Sequence, residues 1–181
     1  MASTSASRTP SSAGNRRKFT LSVWCKKHSS SQMNFFGAGS VSDQNHIQFA
    51  DDRFRIRHYA GGHTLLVSTK ALLRDTTAWY HLVCSVDTTQ GTASNRVKLY
   101  INGQLADLED TSYPSQNYDF DFNDTTLHTI GRRSFSSAYY FDGIMSHFHW
   151  IDGTAYDASP FGSTDSTTGQ WSINIEPSVT Y

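Results

Sequence analysis

Apolar and polar side chains alternate with a period of two again and again along this chain, and no stretch carries a convincing helical period. The sharpest case runs from Ala78 to Gln104. Tyr80, Leu82, Cys84 and Val86 fall on one side of an extended backbone, and Trp79, His81, Val83 and Ser85 on the other. After a polar excursion, Val97, Leu99 and Ile101 alternate with Arg96, Lys98 and Tyr100. That run ends at Asn102-Gly103, a pair that tolerates the positive φ of a tight hairpin turn. The same period recurs in Phe19, Leu21, Val23 and Cys25, and in Ile47 and Phe49 followed by Phe54, Ile56 and His58. Further apolar segments lie at 65–75, 127–131 and 139–151. Many short strands separated by turn residues predict an all-β fold, a sandwich of packed sheets.

A chain of 181 residues with 37% hydrophobic side chains can bury one substantial core. The expected organisation is a β-sandwich over 18–162 with an arm at each end. Residues 1–17 are rich in Ser, Thr, Ala and Gly and read as a flexible N-terminal arm closed by Arg16, Arg17 and Lys18. Residues 163–181 are polar with isolated Trp171 and Tyr181, and read as an extended C-terminal arm docking by its aromatics. The net charge of -1 and pI near 6.7 argue against nucleic acid as a partner, which needs clustered Lys and Arg. No apolar run is long enough to span a bilayer, and the N-terminus lacks the apolar segment of a secretory signal. The expectation is no membrane partner and synthesis in the cytoplasm. Cys25 and Cys84 lie in alternating apolar stretches and read as buried small hydrophobes, with no spacing that supports zinc or a disulfide.

Three constellations could carry binding. Arg53, Arg55 and Arg57 project from one strand face, where they suit an acidic glycan or acidic partner surface, or else protect a strand edge. Residues 108–124 read as a long loop, with Pro114 excluding regular pairing. Its Tyr113, Tyr118, Phe120 and Phe122, with Tyr139 and Tyr140 further on, are candidates for a glycan- or partner-contacting surface, because exposed rings stack on pyranoses and anchor interfaces. The same loop offers Asp119, Asp121, Asn123 and Asp124 as hard oxygen ligands, a calcium candidate that is not an EF-hand because Asp124 replaces the required Gly. His147 and His149 are expected on one strand face, but no third ligand is evident nearby.

FTLSVW at 19–24, WYHLVCSVD at 79–87, KLYINGQ at 98–104, HTIGR at 128–132 and YFDGIMSHFHWIDG at 140–153 resemble, in that order, laminin G-like domains of the concanavalin A-like lectin/glucanase superfamily. The wording of DTTQGTASNRVKLYINGQ, YPSQNYD and FDGIMSHFHWIDGTAYDASPFG, followed by STTGQW, is similar to a branch found in marine bacteriophage structural proteins. The resemblance implies a two-sheet antiparallel jelly roll. Glucanases of the superfamily use a Glu-x-Asp-x-x-Glu strand motif, with carboxyls about 5–5.5 Å apart for retention. Glu109 and Glu176 are the only glutamates and neither sits in such a motif, so no enzymatic activity is expected. The resemblance implies a virion structural protein, a head decoration, fibre or tail appendage. Its partners would be capsid or tail proteins and further copies of itself, a homotrimer being one such assembly. Host-surface glycans are the other expected partner, and the alternative is a lectin-like adhesion module with no structural role in a virion.

Overall fold

The computed structural model describes residues 4–181; residues 1–3 of the expected N-terminal arm lie outside the described residues. Fourteen strands follow in chain order: β1 (Ala6–Arg8), β2 (Lys18–Lys27), β3 (Met33–Gly39), β4 (Gln44–Ala50), β5 (Arg53–Tyr59), β6 (His63–Thr69), β7 (Tyr80–Asp87), β8 (Val97–Ile101), β9 (Gln104–Leu105), β10 (Leu108–Ser112), β11 (His128–Ile130), β12 (Gly143–Asp152), β13 (Gly162–Thr164) and β14 (Trp171–Ile173). Seven of them form a large sheet ordered β1-β11-β3-β4-β5-β6-β10, and five a small sheet ordered β12-β2-β7-β8-β9. Strands β13 and β14 make a separate hairpin. Every ladder is antiparallel. This is the expected jelly-roll sandwich.

The alternation places the core. Phe19, Leu21, Val23 and Cys25 of β2 and Leu82, Cys84 and Val86 of β7 meet Ile47, Phe49, Phe54, Ile56, Leu65 and Val67 of the large sheet in one buried cluster. Each such aliphatic or aromatic side chain contributes about 1.5–3 kcal/mol by leaving water. Cys25 and Cys84 sit fully buried in this cluster as free thiols, and burial pushes both thiol pKa values up. At the β8–β9 turn, Asn102 (φ 47°) and Gly103 (φ 81°) take the left-handed conformations expected of them.

Two features depart from the periodicity. Leu108–Ser112, expected within a loop, forms β10 at the edge of the large sheet against β6. An edge strand needs ladder bonds to only one neighbour and no apolar face, so LEDTS gave no alternating signal. Strand β7 is buried on both faces, because residues 154–181 fold back across the outer face of the small sheet. Phe161, Ala158, Val83 and Ile151 form a second cluster there, with Tyr156, Trp171 and Val179 packed against it. At the other terminus, β1 adds to β11, and Asn15 to Arg17 run beside the 119–124 segment.

Candidate functional site

On the outer face of the large sheet the ladder registers stack polar side chains into rungs. Asn34, Gln48, Arg55 and Ser68 lie in one rung across β3 to β6; Gly37, His46, Arg57 and Leu66 lie in the next on the same face. The loop at 132–139 crosses them. It comes close at Gly37, where a Cβ would stand 3.3 Å from the Ser134 amide nitrogen. Phe135 stacks on His46 with ring centroids 6.0 Å apart, and the Arg133 guanidinium lies 3.8 Å from the Tyr139 ring centroid. The Asn34 amide donates to the Tyr139 carbonyl at 3.0 Å.

The hydrogen bonds of this face do not balance. Arg57 Nη2 donates to His46 Nδ1 at 3.2 Å and approaches Gln44 Oε1 at 3.4 Å. A guanidinium can only donate, so His46 Nδ1 accepts and the proton of the neutral ring sits on Nε2. That ring stays neutral: burial, then the charges of Arg57 and Arg133, lower its pKa to about 2. His46 Nε2, Arg57 Nε, Arg133 Nε and Asn34 Nδ2 are all buried without an acceptor among the described residues. Gln48, with its amide turned to satisfy both ends, accepts from Arg55 Nε at 2.9 Å and donates to Asn34 Oδ1 at 3.0 Å. Burial, followed by repulsion from Arg133 and Arg55, lowers the Arg57 pKa to about 10, so it remains charged at neutral pH. Arg55 reaches the exposed Asp51 at 3.2 Å; among the described residues Arg57 and Arg133 meet no carboxylate. On β10 Asp110 extends the first rung, accepting from Ser68 and attracting Arg55; with Asp51 and Asp110 set against Arg55, Arg57 and Arg133, the face still holds surplus positive charge and surplus donors. Exposed Tyr139 and His63 form its rim, with His63 edge-on to Tyr59.

Of the residues singled out by sequence, Arg55, Arg57 and Tyr139 come together here. Arg53 turns aside to the Thr69 and Lys70 carbonyls and to Glu109. Phe120 and Phe122 are fully buried and not at the surface, because they stack edge-on against Phe19 and fill the sandwich end. Tyr113 and Tyr118 pack against the same cluster, and Tyr140 is half-buried. The four candidate calcium ligands are spread over separate partners. Asp119 pairs with Arg17 at 2.7 Å, and Asp124 with Arg16 at 3.0 Å. Asp121 lies 3.5 Å from Arg16 and accepts from Asn45 at 2.8 Å. Asn123 is engaged by Asn15, Asp152 and the Trp150 indole. Among the described residues no group of three or more His, Cys, Asp or Glu is placed to hold a metal ion. A bulge between Ser146 and His149 interrupts the alternation that would align the two histidines of β12; His149 Nδ1 meets the Tyr181 hydroxyl at 2.7 Å.

A second histidine could suggest nucleophilic catalysis, since His81 Nε2 lies 2.9 Å from Ser22 Oγ. The Trp171 indole N–H donates to His81 Nδ1 at 3.0 Å. Nδ1 is then the acceptor, Nε2 carries the proton, and the ring donates to Ser22 instead of withdrawing its proton. Burial, with His149 adding to it, lowers the His81 pKa to about 4. This network braces the C-terminal segment against β2 and β7.

Sequence reasoning passed over His46, Gln48, Asn34 and Arg133. The first two flank Ile47 in the polar half of the β4 alternation and read as ordinary solvent-facing positions; Arg133 comes from a loop with no periodic signal.

The family described as the Concanavalin A-like lectin/glucanases superfamily matches residues 2–159. No curated relative matches the chain. Among solved structures, the Ruminococcus gnavus IT-sialidase CBM40 bound to alpha2,3 sialyllactose is 11% identical with a TM-score of 0.54, over 84% of this chain and 92% of that one. Domain 4 of AbnA, a GH43 extracellular arabinanase from Geobacillus stearothermophilus, in complex with arabinotriose, is 18% identical with a TM-score of 0.57, over 84% and 77%. The enzymatically active domain of bacteriophage CBA120 tailspike protein 2 is 15% identical with a TM-score of 0.56, over 86% of this chain but 25% of that one. At these identities the likeness is one of fold. No helix among the described residues is long and apolar enough to cross a membrane.

Proposed function

We propose, since the chain belongs to the Concanavalin A-like lectin/glucanases superfamily, that it is a non-catalytic lectin-like domain that binds acidic glycans on the outer face of its large sheet. The observation that carries this reading is the set of buried donors without acceptors around Arg57, Arg133, His46 and Asn34. Each unpaired buried donor costs about 1–3 kcal/mol, a cost that a ligand supplying acceptors would recover. A carboxylate or sulfate supplies several acceptor oxygens and negative charge at once, and arginine forks bind such groups best. Fold neighbours that hold sialyllactose and arabinotriose lend support to a sugar as ligand. Neither glutamate serves catalysis in this reading: Glu109 answers Arg53 on β10, and Glu176 lies in the exposed C-terminal segment.

The domain is displayed on a bacteriophage particle, as a head decoration, fibre or tail appendage, in several copies and facing host-surface glycans. The resemblance of its wording to phage structural proteins and the fold shared with a tailspike domain support this placement. A glycan array carrying carboxylated, sulfated and neutral sugars tests the ligand. Binding is expected on the acidic spots and weakens about tenfold in Arg57→Met and Tyr139→Ala; an array flat on all acidic spots sinks the reading. Mass spectrometry of purified particles tests the placement, and a chain absent from them refutes it.

A further inference from the structure

The opposite face of the molecule carries a groove of about 570 Å³ at the end of the small sheet. Trp24 of β2, Trp79 just before β7 and Trp171 of β14 line it, with the amides of Asn102, Gln104 and Gln170 between them. Among the described residues its walls carry no charged side chain. Its size suits one or two sugar rings, since small-ligand sites span about 300–1,000 Å³.

The groove is built rigidly. Trp24 stacks on His81 (centroids 5.1 Å apart, planes 22° apart), and the Trp171 ring lies nearly coplanar with His81 (18°) beside it, so one imidazole sets the orientation of two indoles. The Trp171 indole N–H, donating to His81 Nδ1 within the ring plane, holds that pair edge to edge. Trp171 lies flat on the β8–β9 turn, where a Cβ on Gly103 would come 2.4 Å from its ring. The turn before β14 is tied by Asp165, which accepts from the Thr167 and Thr168 amides and the Thr168 hydroxyl. Asn102 commits Oδ1 to the His81 amide at 2.8 Å and keeps its Nδ2 donors. Trp79 remains 43% exposed and presents part of its indole to the groove.

We infer that this groove is a second glycan site, for a neutral pyranose. Indole faces stack on the apolar C–H patches of a sugar ring, and amides, which both donate and accept, pair with hydroxyls without demanding charge. A site without charged walls cannot select for an acid and does not repel a neutral ring. The groove lies on the small sheet and shares none of its named residues with the basic face, so it stands whether or not acidic glycans bind there.

The test is titration of the full chain with linear tetrasaccharides of glucose, galactose and mannose, read by calorimetry and by tryptophan fluorescence. Saturable binding to at least one of them is expected, with a change in indole emission. Trp79→Ala and Gln104→Ala, both exposed positions, should each weaken it by about tenfold at unchanged melting temperature, and Arg57→Met should leave it intact. No saturable binding to any of the three series overturns the inference. So does binding that survives both groove variants, or that is lost in Arg57→Met.

Discussion

His46 and His81 are both fully buried on the outer face of a sheet, one on each side of the sandwich, and they are treated in opposite ways. His81 has both ring nitrogens engaged, accepting from Trp171 and donating to Ser22, and an aromatic cluster packs around it. His46 accepts from Arg57 at Nδ1, and its one N–H, at Nε2, meets no acceptor among the described residues, amid guanidinium groups that repel one another. A satisfied network adds stability, whereas an unsatisfied one subtracts from it; in the function proposed above, the second is where the ligand binds. The covered face of the small sheet and the basic face of the large sheet should therefore answer mutation differently.

The largest effect should come from the covered face. Phe161→Ala removes a buried ring under the C-terminal segment and should cost about 3–5 kcal/mol in urea unfolding. Acid comes next and acts on both faces. The folded pKa values of His46 and His81, about 2 and about 4, lie below the ~6.5 of an unfolded histidine. The unfolded chain then binds more protons, so stability is complete above about pH 6.5 and falls as the pH drops through the folded values, by up to ~1.4 kcal/mol per unit for each histidine. Urea titrations at neutral and mildly acidic pH read this slope; a flat response would mean that the rings are not held neutral.

Arg57→Met should separate stability from binding. It removes two hydrogen bonds but also an uncompensated buried charge, so the stability change should stay within about 1 kcal/mol while acidic-glycan binding weakens about tenfold. A loss as large as that of Phe161→Ala would erase the distinction between the faces. Salt should divide them too: raising NaCl from about 0.05 to 0.5 M weakens ligand capture at the basic face and leaves the indole groove unaffected. The smallest effect is expected of calcium. Arg16 and Arg17 already engage Asp121, Asp124 and Asp119, so millimolar calcium should leave the melting temperature unchanged; a clear rise would show that these carboxylates exchange their arginines for the ion.

Much of the fold was legible because burial on one side of a strand writes a period of two into the residues themselves. Phe19 to Cys25 and Tyr80 to Val86 show it, and Asn102-Gly103 marks the turn by the φ values it tolerates. The site was less legible. Arg55 and Arg57 stood out as a stripe, but Phe120 and Phe122 looked like loop aromatics because their burial depends on Phe19, about a hundred residues away. Leu108–Ser112 was invisible as a strand for the related reason that an edge pairs through its backbone, which every residue possesses.

Local alternation and turn chemistry by themselves determined that this chain folds as packed β-sheets around one core, since each strand's apolar side must find another. Only the tertiary structure decided what covers the outer sides. Period two states that His81 and His46 point away from the core and cannot state what they meet there. The stretch from Ala78 to Gln104 is scaffold on its inner side; on its outer side it supplies Trp79, Asn102 and Gln104 to a groove that exists only once Trp171 folds back onto Gly103. Contacts between residues distant in sequence are set by register and by the return of the chain, and no local pattern encodes them.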